Sequence, residues 1–215
     1  MNHYFTDNRH LAQNRKEITF RFSCFTCRFI TDNGVFCKDH VDAGSQLLLE
    51  TIERHGPLGE RVLDLGCGYG TIGIVLKKLY PNSAVTMAEI NPRSLELAQE
   101  NAQRNEVEVR CVHSDVYSGV EGNTFTDIVT NPPIRAGKDV VYRMFDEAYA
   151  HLETGGRLWV VIRKQQGAPS AKKRIHETFQ NCEILARSKG YYILFAQKLL
   201  TLRENVTFCE KVNKC

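Results

Sequence analysis

Val62-Leu-Asp-Leu-Gly-Cys-Gly-Tyr-Gly-Thr-Ile-Gly73 combines a short apolar run, a glycine-rich turn and the start of a helix. An apolar run that passes directly into glycines and a helix is typical of a strand–turn–helix unit in an α/β protein. Glycines let the backbone turn sharply and let a ligand approach more closely than a Cβ would permit. The stretch therefore predicts an open α/β sheet with a ligand site at the end of this strand.

The flanking sequence predicts a mostly parallel sheet, because short apolar runs alternate with helical stretches after residue 60. Strands are predicted over 61–65, 84–88, 108–113, 127–130, 157–162, 182–188 and 191–198. Helices are predicted over 71–79, 93–105, 138–152 and 173–179. The last two strands are joined only by Lys189-Gly190, which is too short for a parallel crossover, so they should pair antiparallel.

The N-terminal part predicts a β-hairpin over residues 17–30, because Ile18, Phe20 and Phe22 alternate with polar residues. Asp39 is the predicted cap of a helix that runs to about His55. The predicted organisation is an N-terminal extension over 1–38, one domain over 39–198 and a C-terminal tail over 199–215 with no assigned role.

The bulk composition of the 215-residue chain, with 42% hydrophobic and 25% charged residues, is typical of a globular protein with one large core. No apolar run approaches the ~20 residues that span a bilayer, and the N-terminus lacks a signal-peptide pattern. We therefore expect a cytoplasmic protein without membrane contact, whose eight cysteines are reduced thiols. Cys24 and Cys27 have the spacing of half a zinc site, but no second pair matches, so no metal is expected.

The charge distribution is uneven, although the net charge is only +3. Residues 163–198 hold eight basic side chains against two acidic ones. This segment is a candidate phosphate-facing surface, and the alternative is an ordinary solvated basic face.

The glycine-rich turn leaves two classes of ligand open at first, because Gly68-Tyr-Gly-Thr-Ile-Gly73 is a literal match to the dinucleotide-binding fingerprint. Asp64 argues against a dinucleotide, since a carboxylate two residues before Gly66 would repel a pyrophosphate. The same carboxylate suits a ligand that carries an ammonium and a sulfonium. The electrostatics therefore favour S-adenosyl-L-methionine as the cofactor, with Gly66, Gly68 and Gly70 forming its backbone cradle.

Acidic residues at the ends of the next two strands complete the predicted cofactor site. Glu89 can accept hydrogen bonds from both ribose hydroxyls, a feature shared with nicotinamide enzymes. Asp115 can accept the adenine amino group, and Val116 can pack on the ring. The alternatives, a surface Glu89 and a helix-capping Asp115, are less favoured because both residues follow strands at the edge where such sheets bind ligands.

Asp127-Ile-Val-Thr-Asn-Pro-Pro-Ile134 ends the fourth predicted strand. Its two prolines, Pro132 and Pro133, fix the turn and give Asn131 a rigid position from which its amide oxygen can accept one N–H of a target amine. A backbone carbonyl of the turn can accept the other N–H, which directs the nitrogen lone pair toward a methyl donor. Asn131 is therefore the predicted catalytic residue, and a plain strand-ending turn is the alternative.

Together, Asp64-Leu-Gly-Cys-Gly-Tyr-Gly70 and Asn131-Pro-Pro-Ile134 resemble the motifs of class I amino-methyltransferases. Gly34-Val-Phe36, Asp42-Ala-Gly-Ser-Gln-Leu-Leu48 and Asn131-Pro-Pro-Ile-Arg-Ala-Gly-Lys138 are similar to RsmC-like guanine-N2 methyltransferases of small-subunit ribosomal RNA. The resemblance covers about residues 17–198. It implies a Rossmann-like α/β fold, with a mostly parallel seven-stranded sheet that ends in an antiparallel hairpin and carries helices on both faces.

The resemblance also implies roles for individual residues. The cofactor would be bound by Asp64, Gly66, Gly68, Gly70, Glu89, Asp115, Val116 and Asn131. The target amine would be held by Asn131 and Pro132, with Pro133 and Ile134 completing the motif. Phe36 would help to close the site. Because this chain has only a short N-terminal extension in place of the additional domain of the better-known members, the RNA would be held by residues such as Arg135, Lys138 and the basic segment, or by a partner. The implied partner is ribosomal RNA or the small ribosomal subunit.

The sequence departs from the family pattern at two places. Many relatives carry an aromatic residue where this chain has Ile134, and the better-known RsmC-like enzymes have an additional N-terminal domain. Two other functions therefore stay open at the level of sequence. One is methylation of a glutamine side-chain amide in a protein, and the other is a noncatalytic RNA-binding module that keeps the fold.

Overall fold

A computed structural model describes residue 12 and residues 14–200. Its strands are β1 (Lys16–Phe22), β2 (Phe25–Thr31), β3 (Arg61–Leu65), β4 (Ala84–Glu89), β5 (Arg110–His113), β6 (Phe125–Thr130), β7 (Leu152–Arg163), β8 (Glu183–Ser188) and β9 (Tyr191–Gln197). Its α-helices are α1 (Ala43–His55), α2 (Thr71–Leu79), α3 (Pro92–Arg104), α4 (Lys138–Asp146), α5 (Ala148–His151) and α6 (Ala168–Phe179).

The predicted sheet is confirmed, with seven strands in the order β5-β4-β3-β6-β7-β9-β8. Strands β3 to β7 are mutually parallel, and β9 pairs antiparallel with both β7 and β8. The chain moves outward from β3 to β5 and then returns to β6 on the other side of β3. The carboxyl ends of β3 and β6 therefore flank the point where the strand order reverses, which is where open α/β sheets bind ligands.

Alternating side chains of the strands form a core on each face of the sheet. In β6, for example, Val129 packs in the cluster that contains α1, α2 and α3, whereas Ile128 packs in the cluster that contains α4 and α6. Apolar residues of β3 and β6 belong to both clusters, so the two helical layers clamp these strands from both sides. This clamp fixes the strand ends that carry the site.

The N-terminal hairpin is also confirmed, with β1 and β2 paired through a two-residue turn. Two asparagines hold it on α3. Asn101 within the helix and Asn105 at its C-terminal cap each exchange a pair of hydrogen bonds with the backbone of β2, at Ile30 and Arg28 respectively. Asn101 also donates to the carbonyl of Tyr69, in the glycine-rich turn, at 2.9 Å. The hairpin therefore packs behind the predicted cofactor site, while the domain division at residue 38 stays a prediction.

The predicted cap of the first helix was wrong. The N-cap of α1 is Asp42, whose carboxylate accepts the backbone N–H groups of Gly44 and Ser45, whereas the carboxylate of Asp39 accepts a hydrogen bond from Lys16. Both aspartates satisfy the local capping pattern. Asp42 is buried and also accepts hydrogen bonds from Asn131 and Tyr191, which the local sequence does not reveal.

The boundaries of two other helices also differ from the sequence-based expectation. The single helix expected over 138–152 is divided into α4 and the short α5. The helical part stops before Leu152, because Leu152 is the first residue of β7 and pairs with Phe125. Helix α6 begins at Ala168, five residues earlier than expected, with Pro169 in its first turn, where a proline does not disturb the helical hydrogen bonds. The tail expected over 199–215 lies outside the described residues from 201 onward.

Candidate active site

A cavity of about 600 Å³ opens at the carboxyl edge of β3, β4 and β6. This volume is within the usual range of small-molecule sites. Most of the predicted site residues line it: Phe36, Gly66, Gly68, Glu89, Asp115, Val116, Asn131, Pro132, Pro133, Ile134 and Arg135. The chain thus brings into one cavity residues that are separated by up to a hundred positions in sequence.

The glycine-rich turn is tied to the end of β4. The backbone N–H groups of Gly66 and Cys67 both donate to the carbonyl of Ala88, at 2.8 and 3.0 Å. Gly66 and Gly68 have φ of +73° and +57°, the left-handed region that favours glycine. A Cβ on Gly68 would meet no protein atom within 4 Å, so the backbone there is open to a ligand.

Glu89 is buried beside this turn, with 8% of its surface exposed. One carboxylate oxygen accepts the N–H of Gly68 at 2.9 Å, and the other accepts the N–H of Asn91 at 2.8 Å. Burial raises the pKa of Glu89, and the backbone donors oppose this rise. Each oxygen keeps a second lone pair, so the predicted contact with two ribose hydroxyls is compatible with both internal bonds.

Asp64 lies beneath the turn rather than on the cavity wall. It is completely buried, and one of its oxygens accepts the N–H of Gly73 in the first turn of α2 at 2.7 Å. Its other oxygen is the only buried side-chain polar atom among the described residues without a hydrogen-bond partner. Burial, assisted by the charge of Glu89, raises the pKa of Asp64 to about 7. Because the Asp64 carboxyl group does not reach the cavity wall, its influence on a cationic ligand would be electrostatic. Direct contact between Asp64 and the cofactor stays a prediction.

The raised pKa of Asp64 gives a pH-dependent stability. Because the folded state binds this proton more tightly than the unfolded chain, the free energy of unfolding should fall as the pH rises from about 4, the usual value, to about 7. The slope should approach about 1.4 kcal/mol per pH unit. Urea unfolding of the wild type and of Asp64→Asn across this range tests the expectation, since the variant should lack this component. Equal pH profiles would contradict it.

Asp115 and Val116, which follow β5, also line the cavity. Asp115 is exposed and lies 3.6 Å from the guanidinium of Arg143. Val116 is buried with a φ of +53°, which is uncommon for a β-branched residue. Its carbonyl accepts the hydroxyl of Ser114, which in turn accepts the N–H of Gly119. A strained backbone held by its own hydrogen bonds at a cavity wall is a common feature of ligand sites.

Asn131 follows β6 directly and lines the cavity next to the glycine-rich turn, which follows the neighbouring strand β3. Its side-chain NH₂ donates to Asp42 at 3.1 Å and to Ser45 at 3.0 Å. The hydroxyl of Thr130 donates to the carbonyl of Leu65 at 2.8 Å, which links the ends of β6 and β3. The Asn131 turn and the glycine-rich turn are therefore held at a fixed separation, as alignment of two reactants requires.

The mouth of the cavity is basic, while its interior is acidic. Arg135 and Arg163 are exposed at the mouth, whereas Asp42 and Glu89 are buried inside. Phe36 is 40% exposed at the same mouth. Such a distribution suits a cationic ligand inside and an anionic partner outside. Lys138 is exposed at the start of α4, with its ammonium 5.0 Å from the ring of Tyr142, and is not part of the cavity wall.

The basic segment of residues 163–198 does not form one surface. Arg163 and Lys189 lie at the carboxyl edge of the sheet, because the start of β9 pairs with the end of β7. Lys198 lies near the opposite edge, where its ammonium donates to the carbonyl of Leu152, and Arg174 pairs with Asp146. Only part of the segment can therefore contact a partner that occupies the cavity.

The sequence did not predict site roles for Asp42, Ser45 and Tyr191, which also line the cavity, and it identified Arg163 only as part of the basic segment. Asp42 and Ser45 belong to a motif that carried the family resemblance, but their contact with Asn131 spans more than 80 positions. Tyr191 lies in a strand whose apolar pattern gave no reason to separate it from the core. Periodicity alone contains no signal for such long-range polar contacts.

The Cys24 and Cys27 pair, which has the spacing of half a zinc site, is not part of a metal-binding group among the described residues. No group of three or more His, Cys, Asp or Glu residues within residues 14–200 is arranged to hold a metal ion. Cys24 is exposed and Cys27 is buried, with burial raising the pKa of Cys27 to about 11. None of the described helices has the length and apolar character that crossing a bilayer requires.

Comparison with known proteins agrees with this architecture. The sequence profile of the methyltransferase small domain family matches residues 26–195. The Bacillus subtilis protein YbxB is 41% identical over 199 residues, which are 92% of this chain and 98% of that protein. Ribosomal RNA small subunit methyltransferase C of Haemophilus influenzae is 36% identical over 164 residues, which are 74% of this chain and 48% of that enzyme.

A solved structure extends the comparison to three dimensions. The T. thermophilus 16S rRNA N2 G1207 methyltransferase RsmC, in complex with AdoMet and guanosine, has a TM-score of 0.79 and 30% identity, covering 86% of this chain and 50% of that one. This chain thus spans about half the length of the two named methyltransferases. The profile match, the sequence identity and the sheet order lead to one conclusion. The chain belongs to the methyltransferase small domain family and has the class I methyltransferase fold of its RsmC-like members.

Proposed function

We propose that the protein is an S-adenosyl-L-methionine-dependent methyltransferase that methylates the exocyclic N2 of a guanine in small-subunit ribosomal RNA. The observation that carries the proposal is the Asn131 amide, whose NH₂ is tied to Asp42 and Ser45 at the wall of a cavity of about 600 Å³. This arrangement leaves the amide oxygen as the acceptor for a target N–H. Relatives named as small-subunit ribosomal RNA methyltransferases support the choice of substrate.

The residues of the cavity fit the donor. S-adenosyl-L-methionine supplies an electrophilic methyl group on a sulfonium centre when it is bound. The open backbone at Gly68 accommodates close approach, and Glu89 provides acceptors for ribose hydroxyls. The buried carboxyl group of Asp64 beneath the turn suits a cationic ligand better than the pyrophosphate of a dinucleotide. The exposed Asp115 and the strained Val116 are proposed to bind the adenine.

Asn131 is proposed to orient the target amine. Its Oδ1 accepts one N–H, and a carbonyl of the Pro132–Pro133 turn accepts the other, so that the nitrogen lone pair is directed toward the donor methyl group. No strong base is needed, because the amine proton can leave once the nitrogen has gained positive charge. Alignment of this kind can account for a large share of a rate enhancement.

The basic mouth favours RNA over a protein glutamine as the substrate. Arg135 and Arg163 are exposed beside the cavity and can contact phosphates on either side of a guanine placed against Asn131. Ile134, half-buried next to the turn, offers apolar contact to a base. Small ribosomal subunits are made in the cytoplasm, which is therefore the proposed location.

Transfer of tritium from labelled S-adenosyl-L-methionine tests the proposal. The purified chain is incubated with small ribosomal subunits, with naked small-subunit RNA and with glutamine-bearing ribosomal protein. The expected product is labelled N2-methylguanosine in an RNA digest. Label in glutamine alone would replace RNA by a protein substrate, and absence of label from all three, with the donor bound, would support a noncatalytic module.

Removing a basic side chain at the mouth should weaken RNA binding. Arg135→Ala should lower the affinity for small-subunit RNA and reduce the slope of log K against log salt concentration by about 1, because one phosphate contact is lost. Lys198→Ala removes the same charge near the opposite edge of the sheet and is the matched control. Filter binding at several salt concentrations measures the RNA affinity and the salt slope of both variants. Equal losses of RNA affinity in the two variants would contradict a role for the cavity mouth in RNA binding.

A further inference from the structure

Asp42 makes more contacts than a helix cap requires. One carboxylate oxygen accepts the N–H groups of Gly44 and Ser45, at 2.9 and 3.1 Å, and this completes the cap of α1. The same oxygen accepts Asn131 Nδ2 at 3.1 Å. The other oxygen accepts the hydroxyl of Tyr191 at 2.8 Å. Asp42 is 93% buried by this arrangement, with 7% of its surface exposed, and it joins α1, the Asn131 turn and β9.

The chemistry of these groups determines which end of the Asn131 amide faces Asp42. A carboxylate can only accept hydrogen bonds, so the group that faces it must be the NH₂ and not the carbonyl oxygen. The second N–H of the same NH₂ donates to Ser45 Oγ at 3.0 Å. Both amide hydrogens are therefore used. Among the described residues, Asn131 Oδ1 has no hydrogen-bond partner, and it is not sealed from the cavity.

The opposite orientation of the amide would have two faults. It would place Asn131 Oδ1 about 3 Å from the carboxylate of Asp42, where two acceptors repel each other. It would also present an NH₂ to the target amine, so that two donors would face each other. A free asparagine side chain can interchange these orientations by rotation about its last bond. Productive alignment therefore requires that the orientation with the NH₂ toward the target amine be excluded.

From these contacts we infer that Asp42, assisted by Ser45, is a positioning residue that locks the Asn131 amide with its oxygen toward the target amine. The inference rests on the proposed role of Asn131. Tyr191 holds the second oxygen of Asp42 and thereby fixes the plane of the carboxylate. Gly44 makes room for this contact, since a Cβ at this position would lie 2.6 Å from the Tyr191 ring.

A double-mutant cycle separates a positioning role from a merely structural one. Asp42→Ala should lower kcat by ~10-fold in the wild-type background, with little change in donor affinity, and should cause no further loss in the Asn131→Ala background. Ser45→Ala should show the same pattern with a smaller effect, and it keeps the helix cap if Asp42→Ala does not fold. Thr51→Ala is the control, because this buried hydroxyl of the same helix bonds only to the carbonyl of Leu47 among the described residues.

A second readout does not depend on activity. In ¹H–¹⁵N spectra, the side-chain amide of Asn131 should exchange slowly with water in the wild type and in Thr51→Ala, and faster in Asp42→Ala. Equal fractional losses of kcat in both backgrounds, or unchanged amide exchange in Asp42→Ala, would overturn the inference. If the wild type transfers no methyl group to RNA, the proposed function fails, while the exchange measurement still decides whether the lock exists.

Discussion

Replacing Asn131 with alanine is expected to lower the turnover number for RNA methylation by ~10²-fold or more, because the target amine loses the acceptor that aligns it. The affinity for S-adenosyl-L-methionine should be nearly unchanged. Asn131 lies at the end of β6, whereas the main acceptors proposed for the donor lie on β4 and in the glycine-rich turn. Single-turnover methylation at saturating donor, together with calorimetry, measures the two quantities separately.

Asn181→Ala is the matched control for this experiment. Asn181 is also partly buried and also holds a strand end through its side chain, but it lies at the opposite edge of the sheet, against Gln197. Its loss should lower stability without changing turnover. If Asn131→Ala kept the wild-type rate, the proposed alignment of the amine would be wrong, and another group would have to orient the target.

Glu89→Ala is expected to weaken the binding of S-adenosyl-L-methionine by ~10²-fold. The carboxylate anchors the N–H of Gly68 and is proposed to accept both ribose hydroxyls. Hydrogen bonds to a charged group contribute about 1.5–3 kcal/mol each, so the loss of even two of them gives a change of this size. Titration calorimetry with the donor and with S-adenosylhomocysteine should show similar losses, because the two ligands share the ribose.

Glu60→Ala provides the control for Glu89→Ala. Glu60 is an exposed carboxylate next to the amino end of β3, and its backbone carbonyl pairs with Ala84. Removing its charge should leave donor affinity at the wild-type value. If Glu89→Ala also left the donor affinity unchanged, the proposed contact between Glu89 and the ribose of the donor would be wrong.

The number of strands and the antiparallel end of the sheet could be predicted because they depend on local patterns. The apolar runs and the two-residue link Lys189-Gly190 were sufficient to predict seven strands and an antiparallel end. The cavity at the reversal point between β3 and β6 follows from that order. Chain connectivity thus determined where Gly66, Glu89 and Asn131 would meet.

Features that depend on tertiary contacts could not be predicted in the same way. Asp39 and Asp42 both fit a capping pattern, and only the proximity of Asn131 and Tyr191 distinguishes them. The apolar period of α4 continues past residue 147, but pairing of Leu152 with β6 ends the helix. The complete burial of Asp64 is likewise a property of the packed turn, since it depends on the layers above and below it.

The most direct test of a donor site beside the Asn131 amide is equilibrium binding of S-adenosyl-L-methionine to the purified chain by titration calorimetry, with NAD as the competing ligand. Binding of the methyl donor at a stoichiometry of one, without detectable binding of NAD, is the result we predict. Failure to bind the donor at millimolar concentration, or preferential binding of NAD, would contradict the account.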